Sequence, residues 1–403
     1  MPNTLRYVSA ATLVALIGLP STGRAQSSSS GPAAPISTTA SARRSIARVA
    51  DSVHTILSKG VRDSAFPGAV AVVGNRDGIL FDASAGHLDW KPSPAPDLHT
   101  LWDLASLTKV VALTTAMMQL VEQKRIDLDA PVQRYLPEFT GRFKERVTVR
   151  HLLAHSAGLP AWRPLYKEAS SPEEALALTL ATPLDTAPGV RMVYSDLGAI
   201  LLGQIVVRVT GQPFDQYVAE HVFEPLGMRE TVFRPAASLL PRIAPTEIDP
   251  WRQRQLRGEV HDENAFALGG VSSHAGLFSS ANDLARLARM YLNGGTLDGV
   301  RVVSSESIAL FTAVQDKGLS NRALGWEVPN GSNSAGHLMS ASAFGHTGFT
   351  GTSIWIDPQS DLFVILLTNR VNPTREHRGI ADVRTALADA VMGASPGLTL
   401  NRH

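Results

Sequence analysis

Strand-like apolar runs lie near both ends of this 403-residue chain, with a long and mostly helical stretch between them. The first pair covers residues 68–73 and 79–81, joined by a turn-like Arg-Asp-Gly at 76–78, which is the pattern of an antiparallel hairpin. The second pair covers residues 352–356 and 362–367, separated by a polar segment that contains proline. We therefore expect an α/β (α+β) unit in which discontinuous N- and C-terminal segments build one sheet.

Helical periodicity flanks and separates these strands. Between about residues 113 and 257 helical patterns and loops dominate, so we expect a mostly helical subdomain inserted between the two parts of the sheet. The segments with the clearest helical pattern are residues 42–59, 198–210, 214–222, 281–292 and 380–392.

The N-terminus has the pattern of a signal peptide over residues 1–25, and a Ser/Pro/Ala-rich linker, expected to be disordered, follows at 26–41. Residues 42–395 are expected to form one catalytic domain. We therefore expect export to the periplasm or the medium. No later stretch has eighteen uninterrupted apolar residues, so no membrane span is predicted in the mature chain. The net charge of +1 gives no case for a nucleic-acid partner, and the absence of cysteine excludes disulfides and thiol catalysis.

A hydroxyl and an amine lie three positions apart in Ser-Leu-Thr-Lys at residues 106–109. A helix that begins near Ala105 places the Ser106 oxygen and the Lys109 nitrogen on one face. An alcohol needs a base during nucleophilic attack, and a desolvated amine is such a base. The residues that follow are apolar or small through Leu120, which favours a buried helix over a surface helix with a solvated lysine.

Two further segments carry groups that acyl transfer uses. Tyr194 comes just before the helix at 198–210, where its phenol relays protons or, alternatively, only packs beside an N-cap residue. Residues 344–351 are glycine-rich and precede a strand, which lets a substrate approach closely and leaves an N–H for a developing oxyanion. His346 in that segment offers a switchable cation or donor, or binds a local backbone group.

Taken in order, S-x-x-K at 106–109, Tyr-Ser-Asp at 194–196 and His-Thr-Gly at 346–348 are much more specific than any one of them. With them the chain resembles the penicillin-recognising serine hydrolases, which include class C β-lactamases, DD-carboxypeptidases and family VIII esterases. Residues 152–159 and 194–203 resemble further phrases of that superfamily, and the likeness covers about Ser45 to Gly393. The resemblance implies a β-lactamase/transpeptidase-like fold and acyl transfer to serine, without a cofactor or a metal.

The resemblance also implies a role for each matching residue. Ser106 would be the acylated nucleophile, Lys109 its base partner, and Tyr194 the residue that passes a proton to the leaving group. The oxyanion hole would combine the backbone N–H groups of Ser106 and Phe349. The other expected substrate-binding residues are Asp196, His346, Thr347 and Gly348.

Two positions depart from the superfamily's pattern. Asp196 stands where Asn is usual, and an ionised Asp only accepts hydrogen bonds, so we expect it to hold Lys109 protonated or to orient it. His346 replaces the usual Lys, so a permanent cation facing a substrate carboxylate becomes a weaker one that depends on pH. Some DD-peptidases of the group share this histidine, and only slow β-lactam turnover is expected.

The predicted activity is that of a DD-carboxypeptidase-like or penicillin-binding protein that acts on D-alanyl peptides or related amides. Its partners would be small molecules or peptides, such as a peptidoglycan stem peptide or a β-lactam. The alternatives are a small-ester hydrolase, since an ester needs less polar anchoring than an amide, and a weak class C-like β-lactamase. The non-enzymatic alternative is an inactive binding protein of the same fold.

Other polar residues have weaker cases. His151 and His155 have the spacing of metalloprotease ligands, but Leu152 replaces the Glu that follows the first His in such motifs. Ser156 lacks the preceding strand that a nucleophile elbow requires. The His-Asp-Glu loop at 261–263 fits a pocket mouth, a metal site or an ordinary polar loop.

Overall fold

The computed structural model describes residues 40–398, so the predicted signal peptide and the predicted linker up to residue 39 lie outside the described residues. The strands are β1 (Gly68–Asn75), β2 (Gly78–Gly86), β3 (Trp102–Asp103), β4 (Val232–Phe233), β5 (Ile248–Asp249), β6 (Arg254–Gln255), β7 (Leu277–Ser279), β8 (Thr296–Leu297), β9 (Val300–Arg301), β10 (Phe344–Thr347), β11 (Ser353–Asp357) and β12 (Leu362–Thr368).

The main sheet joins both ends of the described chain. It has five strands in the order β10-β11-β12-β1-β2, and every neighbouring pair is antiparallel. The N-terminal hairpin meets the C-terminal one where β1 pairs with β12, with Val70 opposite Leu367. This confirms the predicted fold class. The sheet gains an edge strand, β10, from the glycine-rich segment that was expected only to precede a strand.

Helices surround this sheet. The helix predicted at 281–292 has the observed bounds of α9, while the helices predicted to begin at 42 and 198 each begin two residues earlier. The α-helices are α1 (Ala40–Arg62), α2 (Thr115–Glu122), α3 (Val149–Leu153), α4 (Leu165–Glu168), α5 (Pro172–Ala181), α6 (Asp196–Thr210), α7 (Phe214–Val218), α8 (Glu263–Ala267), α9 (Ala281–Leu292), α10 (Ser305–Thr312), α11 (Ile380–Gly393) and α12 (Ser395–Leu398).

Strands β1, β11 and β12 are buried on both faces, which explains why they are nearly continuous apolar runs. Successive side chains of a strand point to opposite faces. Val70 and Val72 of β1 therefore pack with the helical subdomain and α9, whereas Ala69 and Val73 pack with α1 and α11. The two faces belong to two separate hydrophobic clusters.

Residues 113–257, expected to be mostly helical, contain α2–α7 and also the short strands β4, β5 and β6. Across residues 40–398 no single helix is long and apolar enough to cross a membrane. Taken together, the helical segments Asp196–Thr210 and Phe214–Phe223 have the length and apolar composition of a membrane span, but they are bent by 79° relative to each other. Their apolar residues lie in the protein core.

Candidate active site

Ser106 lies on a tight helical turn directly after β3. The carboxylate of Asp103, at the end of that strand, accepts the Ala105 N–H at 2.8 Å. Ala105 has φ +46°, a left-handed conformation that is uncommon outside glycine. A 3₁₀ helix covers Ala105–Leu107 and a π-helix covers Lys109–Thr114, so the predicted helix exists but is not α-helical here. Single π-turns of this kind recur at functional sites.

The Lys109 amine is buried and surrounded by oxygen atoms. Its Nζ lies 3.0 Å from Ser106 Oγ, 2.9 Å from the carbonyl oxygen of His274 and 2.7 Å from Asp196 Oδ1. The side chain of Lys109 is 3% exposed. The ammonium donates hydrogen bonds to Ser106 Oγ and to the His274 carbonyl, while the Asp196 carboxylate is paired with it as an ion.

The groups around Lys109 set the resting protonation states. Burial lowers the pKa of Lys109, but the Asp196 carboxylate and Tyr194 oppose this, and the net shift is upward. Burial raises the pKa of Tyr194, although the charge of Lys109 works in the opposite direction. The resting site therefore holds an ammonium at Lys109 and a neutral phenol at Tyr194. Lys109 becomes a base only after it has given up a proton, and Asp196 is the carboxylate in contact with it.

His155 fixes the segment that carries Tyr194. Its Nδ1 accepts the Ser195 N–H at 3.1 Å, and its carbonyl accepts the Val193 N–H at 2.8 Å, so it holds the residues on both sides of Tyr194. Burial lowers the pKa of His155 well below its ordinary value, which keeps the ring neutral and able to accept. Within residues 40–398 no group of three or more His, Asp or Glu side chains is arranged to hold a metal ion. The geometry gives His155 a positioning role.

The Tyr194 ring packs among cations and imidazoles. Lys109 Nζ lies 5.0 Å and Arg322 Cζ 4.8 Å from the ring centroid. The rings of His155 and His346 lie 4.6 Å and 5.7 Å away, measured between centroids. Ser195 N-caps α6, as the alternative reading of this segment expected, yet Tyr194 also lines the cavity that contains Ser106. Packing of Tyr194 beside the N-cap residue is therefore compatible with a catalytic role for its phenol.

His346 is neutral in this site. Its Nδ1 lies 2.8 Å from the carbonyl oxygen of Thr347, so Nδ1 carries the proton and Nε2 is the free acceptor. Burial, followed by the charges of Arg322 and Lys109, lowers the pKa of His346 well below its ordinary value. The cation predicted at this position therefore forms only at lower pH, and the alternative interpretation, a contact with a local backbone group, describes the geometry.

Arg322 supplies positive charge beside the His-Thr-Gly triplet. One arm of its guanidinium, Nη2, binds Glu327 at 2.7 Å. The other arm, Nη1, is buried and has no acceptor among the residues that the structure describes. No sequence motif indicates this residue, because a single arginine in a loop belongs to none of the motifs. Only the folded chain brings it next to Tyr194 and His346.

The turn after β10 presents the Phe349 backbone. Within the turn, the Gly348 N–H donates to Thr352 O at 2.7 Å and the Gly351 N–H donates to Gly348 O at 3.1 Å, so neither bond uses the Phe349 N–H. A Cβ added to Gly348 would lie 2.4 Å from the carbonyl oxygen of Leu104. Only glycine therefore lets this turn pack against the segment that leads into the 3₁₀ helix.

The loop at 261–263 forms part of the cavity wall through ion pairs. His261 Nε2 lies 2.8 Å from Glu247, and Arg375 contacts both Glu247 and Glu263. The His261 ring stacks on Phe349 with 5.8 Å between centroids. Of the three interpretations of this loop, these contacts favour the one in which it lines the mouth of the pocket.

A second chain of contacts links this loop to the lysine. Asp262 lies 2.9 Å from His274 Nε2, and the carbonyl of His274 accepts a hydrogen bond from Lys109. Sequence reasoning did not find His274, since a lone histidine after a Ser-Ser pair carries no pattern. Its contacts make it a positioning residue for the amine.

One cavity of about 530 Å³ brings the predicted residues together. Lys109 reaches it from the protein interior through its contact with Ser106 Oγ. The predicted residues that line it are Ser106, Tyr194, Asp196, His346, Thr347, Gly348 and Phe349.

Comparisons with known proteins agree with one another. A protein-family model described as Beta-lactamase matches residues 53–389. A protein of Escherichia coli (strain K12) described as "Putative D-alanyl-D-alanine carboxypeptidase" is 36% identical over 314 residues, which are 70% of this chain and 71% of that protein. A Salmonella agona (strain SL483) protein with the same description is 34% identical over 333 residues, 75% of each chain.

Solved structures share the fold. A penicillin-binding protein homologue from Caulobacter crescentus has a TM-score of 0.71 at 21% identity, covering 86% of this chain and 97% of its own. EstCE1, described as a hydrolase with promiscuous acyltransferase activity, has a TM-score of 0.68 at 22% identity, covering 86% and 99%. At these identities the likeness establishes the fold alone.

Proposed function

Because the chain belongs to the Beta-lactamase family, we propose that it is an exported serine hydrolase that forms an acyl-enzyme on Ser106. Its proposed activity is that of a DD-carboxypeptidase acting on D-alanyl peptides or related amides, in the periplasm or outside the cell. The signal-peptide pattern of residues 1–25 supports export. The names of the curated relatives support the substrate class.

The contacts around Lys109 support a balanced route for acylation. Lys109 first gives a proton to solvent, and the neutral amine then takes the Ser106 proton as Oγ attacks the substrate carbonyl carbon. The N–H groups of Ser106 and Phe349 stabilise the oxyanion that forms. As the tetrahedral intermediate collapses, Tyr194 gives its proton to the leaving amine and recovers one from Lys109. Lys109 is then neutral again, and water releases the acyl group by the reverse route.

Arg322 is the residue that would bind the free carboxylate of a carboxypeptidase substrate. A carboxypeptidase must recognise the terminal carboxylate next to the bond that it cleaves. His346 is neutral and does not supply the required charge, whereas Arg322 lies beside it with one guanidinium arm lacking an acceptor. A buried donor without a partner is unfavourable, so a substrate carboxylate that reaches Arg322 gains a charge-assisted hydrogen bond and relieves that cost.

Arg322→Met is therefore expected to remove the preference for a free C-terminal carboxylate. The kcat/KM for an acetylated D-alanyl-D-alanine peptide should fall by roughly 10- to 100-fold, the range for losing one charge-assisted hydrogen bond. The same peptide with an amidated C-terminus should be affected by less than about 3-fold, because it never made that bond. The measurement is the ratio of kcat/KM values for the acid and the amide in both proteins.

The matched control is Arg322→Met with Glu327→Gln, which removes the carboxylate that Arg322→Met would leave unpaired. If the double variant regains the wild-type preference for the acid, the single variant acted through Glu327 and Arg322 does not bind the substrate. If the ratio of kcat/KM for the acid to that for the amide is unchanged in both variants, Arg322 does not bind the substrate carboxylate.

A small-ester hydrolase is the second candidate, and the residue at position 196 favours it. Asp196 has an oxygen on Lys109 and no N–H to donate to a substrate amide. Rapid p-nitrophenyl ester hydrolysis, with no D-alanine release and no labelling by a fluorescent penicillin, would support the esterase. Nitrocefin turnover measures the expected weak β-lactamase activity. Absence of every Ser106-dependent activity would leave the inactive binding protein.

Asp196→Asn is expected to move the acid limb of the pH profile of acylation to lower pH. The Asp196 carboxylate raises the pKa of Lys109, so its removal lowers that pKa and the free amine becomes available at lower pH. His274 contributes only a carbonyl to the amine, while Tyr194, Asp262, His155 and His346 are the other titratable groups that interact with it. Pre-steady-state acylation measured from about pH 5 to 10 checks the shift. An acid limb that stays in place would show that Asp196 does not control Lys109.

A further inference from the structure

Arg384 of α11 binds the backbone of the turn that carries the proposed oxyanion donor. Its Nη2 donates to the carbonyl oxygen of Gly348 at 2.8 Å and to that of Thr352 at 2.7 Å. Across residues 40–398 Arg384 has no carboxylate within ion-pairing distance. The guanidinium of Arg384 is therefore held by backbone carbonyls beside the active-site cavity and not by an acid.

The Gly348 carbonyl and the Phe349 N–H belong to the same peptide unit. This peptide is trans, since the cis bond within the described residues is Asn372–Pro373. In a planar trans peptide the N–H points opposite to the C=O. A cation on the oxygen end therefore fixes the direction of the N–H at the other end. It also polarises the amide, because hydrogen bonds in a chain strengthen one another.

We infer that Arg384 is a positioning residue of the oxyanion hole, which orients and polarises the Gly348–Phe349 peptide so that the Phe349 N–H donates more strongly to the developing oxyanion. This inference rests on the proposed acylation of Ser106. It assigns a part in transition-state stabilisation to a cavity-lining residue that acts through the Gly348–Phe349 peptide. Preorganised donors of this kind act on charge that appears only during the reaction.

Arg370 provides a matched comparison within the same turn. Its Nε donates to the carbonyl oxygen of Phe349 at 2.8 Å, which belongs to the following peptide unit. Arg370 therefore brings a similar charge to the turn without touching the peptide that carries the Phe349 N–H. Burial, followed by the charge of Arg370, lowers the pKa of Arg384 to about 10, so Arg384 remains charged at neutral pH.

A purely structural role is the competing explanation, because Arg384 also joins α11 to the end of the sheet. A structural brace would affect all substrates alike, whereas an oxyanion-hole residue acts on the charge that forms. The two roles separate with a matched ester and thionoester. Sulfur is larger and accepts hydrogen bonds more weakly than oxygen, so the thionoester gains less from a strong N–H donor.

The test measures kcat/KM for this ester pair in the wild type, Arg384→Met, Arg384→Lys and Arg370→Met. In Arg384→Met we expect the ester-to-thionoester ratio to fall by about 10-fold, less than the ~10²–10³ reported for removing a whole oxyanion donor. Arg384→Lys should recover part of the ratio because it restores a cation near Gly348 O. Arg370→Met should keep a ratio close to that of the wild type, even if both rates change.

The infrared carbonyl stretch of the acyl-enzyme gives an independent readout. A weaker Phe349 donor should move this band to higher wavenumber in Arg384→Met and leave it in place in Arg370→Met. Equal rate losses for both substrates with an unmoved band would overturn the inference and leave a structural brace. If wild-type Ser106 forms no acyl-enzyme at all, as shown by an unchanged intact mass, the proposed function fails first and this inference fails with it.

Discussion

Ser106→Ala is expected to abolish covalent labelling by a fluorescent penicillin and to lower kcat/KM for any productive acyl donor by at least about 10³-fold. Alanine has no oxygen with which to form an ester, so no acyl-enzyme is possible. The cavity, the Phe349 N–H and Arg322 remain in place, so substrate binding should persist. Any residual turnover would then come from the oxyanion hole and binding alone.

Intact-mass spectrometry after exposure to the acyl donor checks this result directly, since the wild type should gain the mass of one acyl group and Ser106→Ala none. Ser156→Ala is the matched control: it removes another buried hydroxyl, from a segment resembling a nucleophile elbow, and should retain labelling. Labelling that survives in Ser106→Ala and disappears in Ser156→Ala would show that the nucleophile is Ser156 and not Ser106.

Lys109→Met is expected to lower the rate of acylation on the order of 10³-fold, within the 10²–10⁴ range of general-base catalysis. Methionine has a stem of similar size but no basic nitrogen for the Ser106 proton. The variant also leaves Asp196, which is 19% exposed, without its cation. We expect it to lose about 2 kcal/mol of unfolding free energy, less than the 3–5 for a fully buried pair.

The double variant Lys109→Met with Asp196→Asn separates these two effects. It removes the unpaired carboxylate, so the unfolding free energy should return to within about 1 kcal/mol of the wild-type value, while acylation stays slow. Urea unfolding and stopped-flow acylation measure the two quantities. If acylation recovers along with stability, Lys109 is structural and another group removes the Ser106 proton.

Local pattern was sufficient for most of the architecture. The bounds of α9 and the strand runs of β1, β11 and β12 agree with prediction to within about two residues, because apolar periodicity and turn residues act over short distances. The 3₁₀ and π-helical turns around Ser106 were not predicted, since they depend on the left-handed Ala105 and on tertiary contacts of Asp103 with His261 and Thr350. Strand β10 was missed because the glycine-rich segment that contains it resembles a loop.

The site divides in a similar way. Ser106, Tyr194 and the His-Thr-Gly triplet are visible in the sequence as motifs, and the structure gathers them around one cavity. Arg322 and Arg384 have no motif. Their importance comes from what they touch, Tyr194 in one case and the Gly348 carbonyl in the other, and these partners are distant in sequence.

The sequence alone therefore determined the two hairpins of the main sheet, its principal flanking helices, the family and the candidate nucleophile, because each depends on residue types at fixed spacing. Only the tertiary structure determined the protonation states of the titratable side chains in the site. Asp196 keeps Lys109 protonated and Arg322 helps keep His346 neutral, although each pair is far apart along the chain. A pKa depends on burial and on the charges within a few ångströms in space, and spacing along the chain does not contain that information.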